Sequence, residues 1–135
     1  MSGPTTTQGE HEFADDILIS GEELRGYTAD EALTRGEPVE IVDNYAVGPS
    51  ADAFVGVVLY SVGEGEEVAI AGDDCEVRLE ASGAVDAGDA LAVDGDGAFE
   101  VATDAEDAVA VANEDIGAGE WGVAYLTATS GNLGA

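Results

Sequence analysis

Val39 and Ile41 alternate with Pro38 and Glu40, Val68 and Ile70 with Glu67 and Ala69, Val77 and Leu79 with Glu76, Arg78 and Glu80, and Phe99 and Val101 with Glu100 and Ala102. A period of two sends one set of side chains to a buried face and the other to the opposite face, so these runs are half-buried strands. The segment Ala53 to Tyr60, AFVGVVLY, is apolar at almost every position. It reads as a central strand covered on both sides, and Gly56 inside it permits a bulge or the close approach of another backbone. The last alternating run puts Trp121, Val123 and Tyr125 on one face and Gly122, Ala124 and Leu126 on the other. The bulky aromatic face is read as core. The alternative is an exposed aromatic platform for a sugar or a partner.

Strands are opened by a recurring device: GEPVEI at Gly36, GEEVAI at Gly65, GDALAV at Gly88 and GEWGVAYL at Gly119. Glycine supplies the backbone freedom of a turn, and the acid keeps the corner wet. The spacing is too uneven for a solenoid, which holds a fixed period, so the device reads as local turn chemistry used four times. One stretch, TADEALTRG, has helical signals: Thr28 and Glu31 spaced as a capping box, with Gly36 placed to end the turn. It is expected to form a short helix across one end of a barrel. The fold class is therefore all-β, a small single-domain β-barrel or tulip-like β fold with one short helix. Residues 1–15 lack periodicity and read as a flexible N-terminal arm, residues 16–128 as the β-domain, and residues 129–135 as a short C-terminal tail.

The chain has 135 residues, with 30 acids against three arginines and no lysine, for a net charge of −27. The acids divide evenly between the two halves of the chain, so there is no acidic tail and no single acidic block. Surplus charges stand on the order of 240 Å² apart on a folded surface of this size. Such a surface favours high salt, where the Debye length falls to about 3 Å, and the composition points to a salt-loving host. Binding of nucleic acid through phosphates needs clustered Lys and Arg, and Arg25, Arg35 and Arg78 are scattered, so nucleic acid is not an expected partner. The longest apolar stretch has eight residues, Ala53 to Tyr60, against the roughly 20 that a membrane-spanning helix needs. No membrane partner and no secretory signal are read, and synthesis in the host cytoplasm is expected.

Candidate chemistry is sparse. Asp94-Gly95-Asp96-Gly97 resembles a cation loop at first sight, but the twelfth position counted from Asp94 is Ala105 where an EF-hand needs a glutamate. A Gly-rich pair between the alternating runs ALAV and AFEV reads instead as a hairpin turn. Weak cation binding stays open there, at Asp73-Asp74, and at Glu64-Glu66-Glu67. His11 is the sole histidine and falls in the arm, so no Ser-His-Asp or Cys-His arrangement can be built on the strands. Cys75 is the sole cysteine, set among Asp73, Asp74 and Glu76, and reads as a small apolar residue at a strand start. No catalytic residue, cofactor or metal site is expected, and the chain does not read as an enzyme.

From about Glu22 to Thr127, TADEALTRGEPVEIVDNYAVGPS, then FVGVVLYSVGEGEEVAIAGDDCEVRLEASGAVDAGDALAVDGDGAFEVA, then GVAYLTA resemble a family of small phage and prophage proteins that decorate the capsid. The shared pattern is a strand introduced by Gly-x-Pro-Val, a GVV-type central strand, a GEEVAI hairpin strand, and V-x-AGD-x-L-x-VD-x-DG before the next strand. The resemblance implies a virion protein, in a haloarchaeal tailed-virus version, that binds the assembled major capsid protein as a homotrimer and stabilises the shell from outside. A cement protein of this kind often carries an arm that orders on binding. Phe13, Ile17 and Leu18 are the candidate capsid-contacting anchors. The alternative is a β-domain of a head fibre or turret that binds a carbohydrate or a host-cell surface.

Overall fold

The alternating runs are strands in the computed structural model, which describes residues 16–50 and 53–127. In chain order they are β1 (Leu18–Ser20), β2 (Glu23–Ala29), β3 (Pro38–Asp43), β4 (Ala46–Pro49), β5 (Phe54–Val58), β6 (Glu67–Ala71), β7 (Glu76–Glu80), β8 (Ala90–Val93), β9 (Phe99–Val101), β10 (Ala110–Ala112) and β11 (Trp121–Leu126). Strands β2, β4, β3, β5 and β6 close into a barrel in that order, and the rest form a sheet ordered β1-β7-β11-β10-β8-β9. The fold is all-β. The N-terminal arm, residues 1–15, and the tail, residues 129–135, lie outside the described residues.

Without β1, the second sheet repeats the first strand for strand. β3 pairs with β4 and β5 as β8 pairs with β9 and β10, all antiparallel. β6 pairs with β5 and β2 as β11 pairs with β10 and β7. Even the parallel seam recurs: Ala29 lies opposite Val47 in the first unit, and Ala81 opposite Phe99 in the second. Strands β2–β6 and β7–β11 thus follow one five-stranded pairing pattern in tandem, and the turn glycines Gly36 and Gly65 recur as Gly88 and Gly119.

The four glycine-acid devices hold both copies together. Gly36, Gly65, Gly88 and Gly119 all have positive φ, from 77° to 91°. In each, the N–H of the following acid donates to the carbonyl three residues back: Glu37 to Thr34, Glu66 to Gly63, Asp89 to Asp86 and Glu120 to Gly117. A positive φ at the third position alone defines a type II turn, which is why glycine stands there. The acid does more than stay wet. Its carboxylate accepts the N–H of the turn's first residue in three cases, Thr34 to Glu37 at 3.0 Å, Gly63 to Glu66 at 2.8 Å and Asp86 to Asp89 at 2.9 Å. The turns are also tied in pairs: Leu33 and Val62 exchange two backbone bonds of 3.0 Å, and Val85 and Ile116 exchange bonds of 2.8 and 2.9 Å.

Two apolar clusters follow from this arrangement. Ala29, Leu33, Val39, Val47, Val55, Val58, Val68 and Ile70 fill the first barrel. The second cluster joins the interior of the second unit, including Leu79, Leu91 and Phe99, to the outer face of the first through Phe54, Val57 and Ala71. Phe54 and Phe99 meet edge to face with ring centroids 6.1 Å apart, a favoured aromatic geometry. Strand β5 therefore has a core on each side and is buried throughout. Its register on β3 slips between Val39 and Glu40, so Phe54 and Val57 face one cluster while Val55 and Val58 face the other. Gly56 sits at this bulge, where a Cβ would fall 2.5 Å from the Ala71 carbonyl oxygen; both uses anticipated for this glycine are realised.

Two local expectations are corrected. TADEALTRG forms no helix, and the one helical turn among the described residues is a 3-10 turn at Ala105–Asp107 capped by Asp104. The segment holds few apolar residues, and its Leu33 is drawn into the bridge to Val62, which a helix of two turns is too short to resist. The second correction concerns β11, whose buried face is Gly122, Ala124 and Leu126, while Trp121 and Tyr125 point outward. Small residues face in because the narrow interior already holds Phe99 where the first barrel has Val47. A Cβ on Gly122 would lie 2.4 Å from Ile116 Cγ1.

Gly56→Ala is expected to lower stability by about 2 kcal/mol or more, because the strain falls on backbone of β6 that cannot move alone. Gly83→Ala, with open space around it and no positive φ, is expected to stay within about 0.5 kcal/mol of the parent. Urea unfolding midpoints compare the two.

Candidate binding site

The outward turn of β11 puts its aromatic rings where a ligand can reach them. Trp121 is 45% exposed and Tyr125 39%. Trp121 lies across from Glu80 on β7 in the ladder and reaches over to the first unit. There its indole rests on Gly36, where a Cβ would fall 2.4 Å from the ring. The glycine required by the turn thus also makes the seat for the tryptophan. The Arg35 guanidinium carbon lies 5.9 Å from the ring centroid, within cation–π range. The Arg35 backbone is itself fixed, its N–H donating to Ser61 Oγ at 2.9 Å.

Together Thr34, Arg35, Gly36, Glu37, Glu80, Asp96, Gly97 and Trp121 line an open hollow of about 250 Å³ at the seam between the two units. The lining thus combines one indole with three acidic residues and one arginine. At the far end of the same strand face, the Tyr125 hydroxyl donates to Asp74 Oδ1 at 3.1 Å. That bond, followed by the charge of Asp74, pushes the Tyr125 hydroxyl above the ordinary phenol range.

In two of the acidic turns singled out in the sequence a carboxylate accepts backbone N–H groups. Asp94 Oδ1 accepts the N–H of Asp96 at 2.7 Å and of Ala98 at 3.1 Å, in the hairpin turn between β8 and β9. Glu66 caps its own turn, and Asp74 takes a positive φ of 72°. Among the described residues, no three acidic, His or Cys side chains converge to hold a metal ion. Cys75 is buried directly before β7, its Sγ donating to the Glu22 carbonyl at 3.5 Å. Burial, assisted by Asp74 and Asp73, pushes its thiol up.

Of the candidate capsid contacts, Phe13 lies outside the described residues. Ile17 is only 1% exposed and belongs to the second apolar cluster, with its carbonyl accepting the Arg78 N–H. Leu18 is half-buried against that cluster and pairs with Val77. Ile17 and Leu18 thus tie the start of the described chain to β7. Among the described residues no helix is long and apolar enough to cross a membrane.

No protein-family model and no curated protein matches the chain. Among solved structures, the crystal structure of the N base of head fibre gp8.5 from bacteriophage phi29 is similar to it with a TM-score of 0.65. The two are 13% identical, and the match covers 82% of this chain and 99% of that one. At that identity the likeness is one of fold.

The Tyr125–Asp74 contact predicts a tyrosinate absorbance component that appears late in an alkaline titration. It is expected to vanish in Tyr125→Phe and to move to lower pH in Asp74→Asn, which removes the accepting charge while tolerating the positive φ.

Proposed function

We propose that the chain is a structural protein of a viral head, held on the outside of the assembled capsid by contact with the major capsid protein. The observation that carries this reading is the shared fold with the base of a phage head fibre, which spans nearly all of that base. The sequence resemblance to capsid decoration proteins supports the same location by an independent route. A closed barrel packed on a second sheet through a shared apolar cluster suits a role in which the surface is the function. Self-association as a homotrimer belongs to the proposal, as closed symmetry is the common way to build such assemblies. So does a haloarchaeal host, supported by the net charge of −27.

Within this reading, two roles divide the weight. As a cement protein, the chain would stabilise the shell, with residues 1–15, Phe13 among them, adding contact to the capsid. As part of a head fibre or turret, it would also present a surface for carbohydrate or host cell. The exposure of Trp121 and Tyr125 serves either role, since solvent-facing aromatics anchor protein contacts as well as carbohydrate.

Purified protein mixed with capsids that lack it is expected to co-sediment with them, and a chain lacking residues 2–14 to do so with lower occupancy. Failure of the full chain to bind any assembled capsid of its virus would overturn the proposal. Light scattering in about 3 M NaCl is expected to give a trimer near 41 kDa, three times 13.6 kDa. At about 0.15 M, where screening is weaker, dissociation or unfolding is expected, and stability unchanged across that range would contradict the halophilic part.

A further inference from the structure

We infer that the hairpin between β3 and β4 of one copy docks on the outward face of β11 and β7 of a second copy of this chain, in a head-to-tail contact. This rests on the homotrimer part of the proposed function and names the two surfaces that would build it. The second unit shows how the fold makes the same hairpin without a docking role. Residues 42–46 lead from Ile41 to its ladder partner Val47, and residues 94–98 lead from Val93 to Phe99. In the second hairpin the first of these positions is Asp94, whose carboxylate accepts two N–H groups of its own turn, and the fourth is Gly97, with a φ of 96°. The first hairpin has Val42 and Tyr45 at those places. Tyr45 keeps a positive φ of 53°, a conformation natural to glycine and rare for a bulky side chain. Burial does not offset the strain: Tyr45 is 71% exposed and Val42 46%. Strain held in order to present an exposed ring marks a contact made outside the chain.

The receiving surface is the register counterpart of one that this chain already covers. Val57 faces Ala71 across β5 and β6 as Val111 faces Tyr125 across β10 and β11. Val57 and Ala71 are buried in the cluster shared with the second unit, whereas Val111 is half-buried and Tyr125 exposed. Beside them, half-buried Val123 lies opposite half-buried Arg78 on β7. Arg25 pairs with Glu23, and Arg35 lies against Trp121. The Arg78 guanidinium has no ion pair or hydrogen bond among the described residues. Glu76, two residues away, accepts instead from Asn113 Nδ2 at 2.8 Å and Ser20 Oγ at 3.4 Å. In a chain with 30 acids, an arginine left without one is placed for a carboxylate from elsewhere.

A second copy supplies what that face lacks. The hairpin has an apolar tip and acids beside it: Asp43 is exposed in the turn, and exposed Asp30 lies next to Val42, both reaching toward Gly48. Residues 36–49 contain no arginine or lysine. Face on face would set Arg78 against Arg78, and tip on tip would set acid against acid; tip on face joins unlike charges around an apolar centre. Tyr and Arg are the residue types that carry most protein contacts, and Arg is the cation suited to interface carboxylates. Contact between two different surfaces of one chain is heterologous and closes into a ring, as a trimer requires. Both surfaces are open at once, because Pro38 begins β3 two residues after the seat of Trp121 at Gly36, and five residues of strand carry the tip about 17 Å away from it.

Light scattering of the full chain in about 3 M NaCl reads the contact. Tyr45→Gly and Arg78→Glu are each expected to weaken association about tenfold or more, leaving a monomer of 13.6 kDa where the parent is assembled. Tyr45→Gly relieves the backbone, so its urea midpoint, measured below the association concentration, is expected to equal or exceed the parent's; a lost contact is thereby told from a lost fold. Mixed one to one, the two variants are expected to form a species near 27 kDa, twice 13.6 kDa, because the intact face of one meets the intact hairpin of the other and the ring cannot close. A mixture that stays monomeric overturns the inference, as does a parent that is itself monomeric or a Tyr45→Gly variant that assembles like the parent. Variants that keep the parent's mass but lose co-sedimentation with capsids would assign these surfaces to the capsid, which removes the head-to-tail contact and leaves the head protein. A parent that binds no capsid removes the broader reading, and the mixing result is unaffected by it.

Discussion

A glycine that must have positive φ, followed by an acid whose carboxylate turns back to the start of the same turn, is the contact on which the rest of this protein depends. The backbone at such a corner exposes an N–H that no strand partner can reach. In three of the four turns the acid accepts it. In the fourth, the Glu120 carboxylate lies over Gly117, close enough that a Cβ there would sit 2.7 Å from its Oε1. Once the turns are rigid, the apolar residue before each one is aimed inward, and the bridges Leu33 to Val62 and Val85 to Ile116 join the turns in pairs. The strands then have no choice of register, because their starting points are fixed.

Much of this was legible in the chain. Alternation in β3, β6, β7 and β9 marks strands, and the unbroken apolar run of β5 marks a strand with a core on each side. The hairpin at Asp94 to Gly97 follows from the same reasoning. Three things were not legible, each for a physical reason. Alternation in β11 shows two faces but not which one is inside; that depends on the volume left by Phe99, a residue distant in sequence. Thr28, Glu31 and Gly36 carry the signals of a helix, yet the same residues serve a strand end and a type II turn, and Leu33 is claimed by Val62. The duplication escapes a search for one fixed period, because the turns recur in pairs, Gly36 with Gly88 and Gly65 with Gly119, rather than singly.

The candidate site was half legible. Trp121 and Tyr125 were identified as a shared face, but Arg35 and Gly36 approach them from the other unit, and nothing local in either segment announces that meeting. The acids are also more than a surface coating. Glu37, Glu66, Asp89, Asp94, Asp104, Glu114 and Asp115 each accept a backbone N–H. Part of the acidic charge stands where the fold needs an acceptor.

The barrel and the second sheet also amount to paired solutions of one packing problem. Where the first places Val47 opposite Ala29, the second places Phe99 opposite Ala81. Where the first lines its last strand with Val68 and Ile70, the second uses Gly122 and Ala124. The large ring and the missing side chains belong together, so neither can be exchanged between the copies alone. The exchange of bulk has a visible outcome: with its small residues turned inward, the last strand is free to carry its large ones outside.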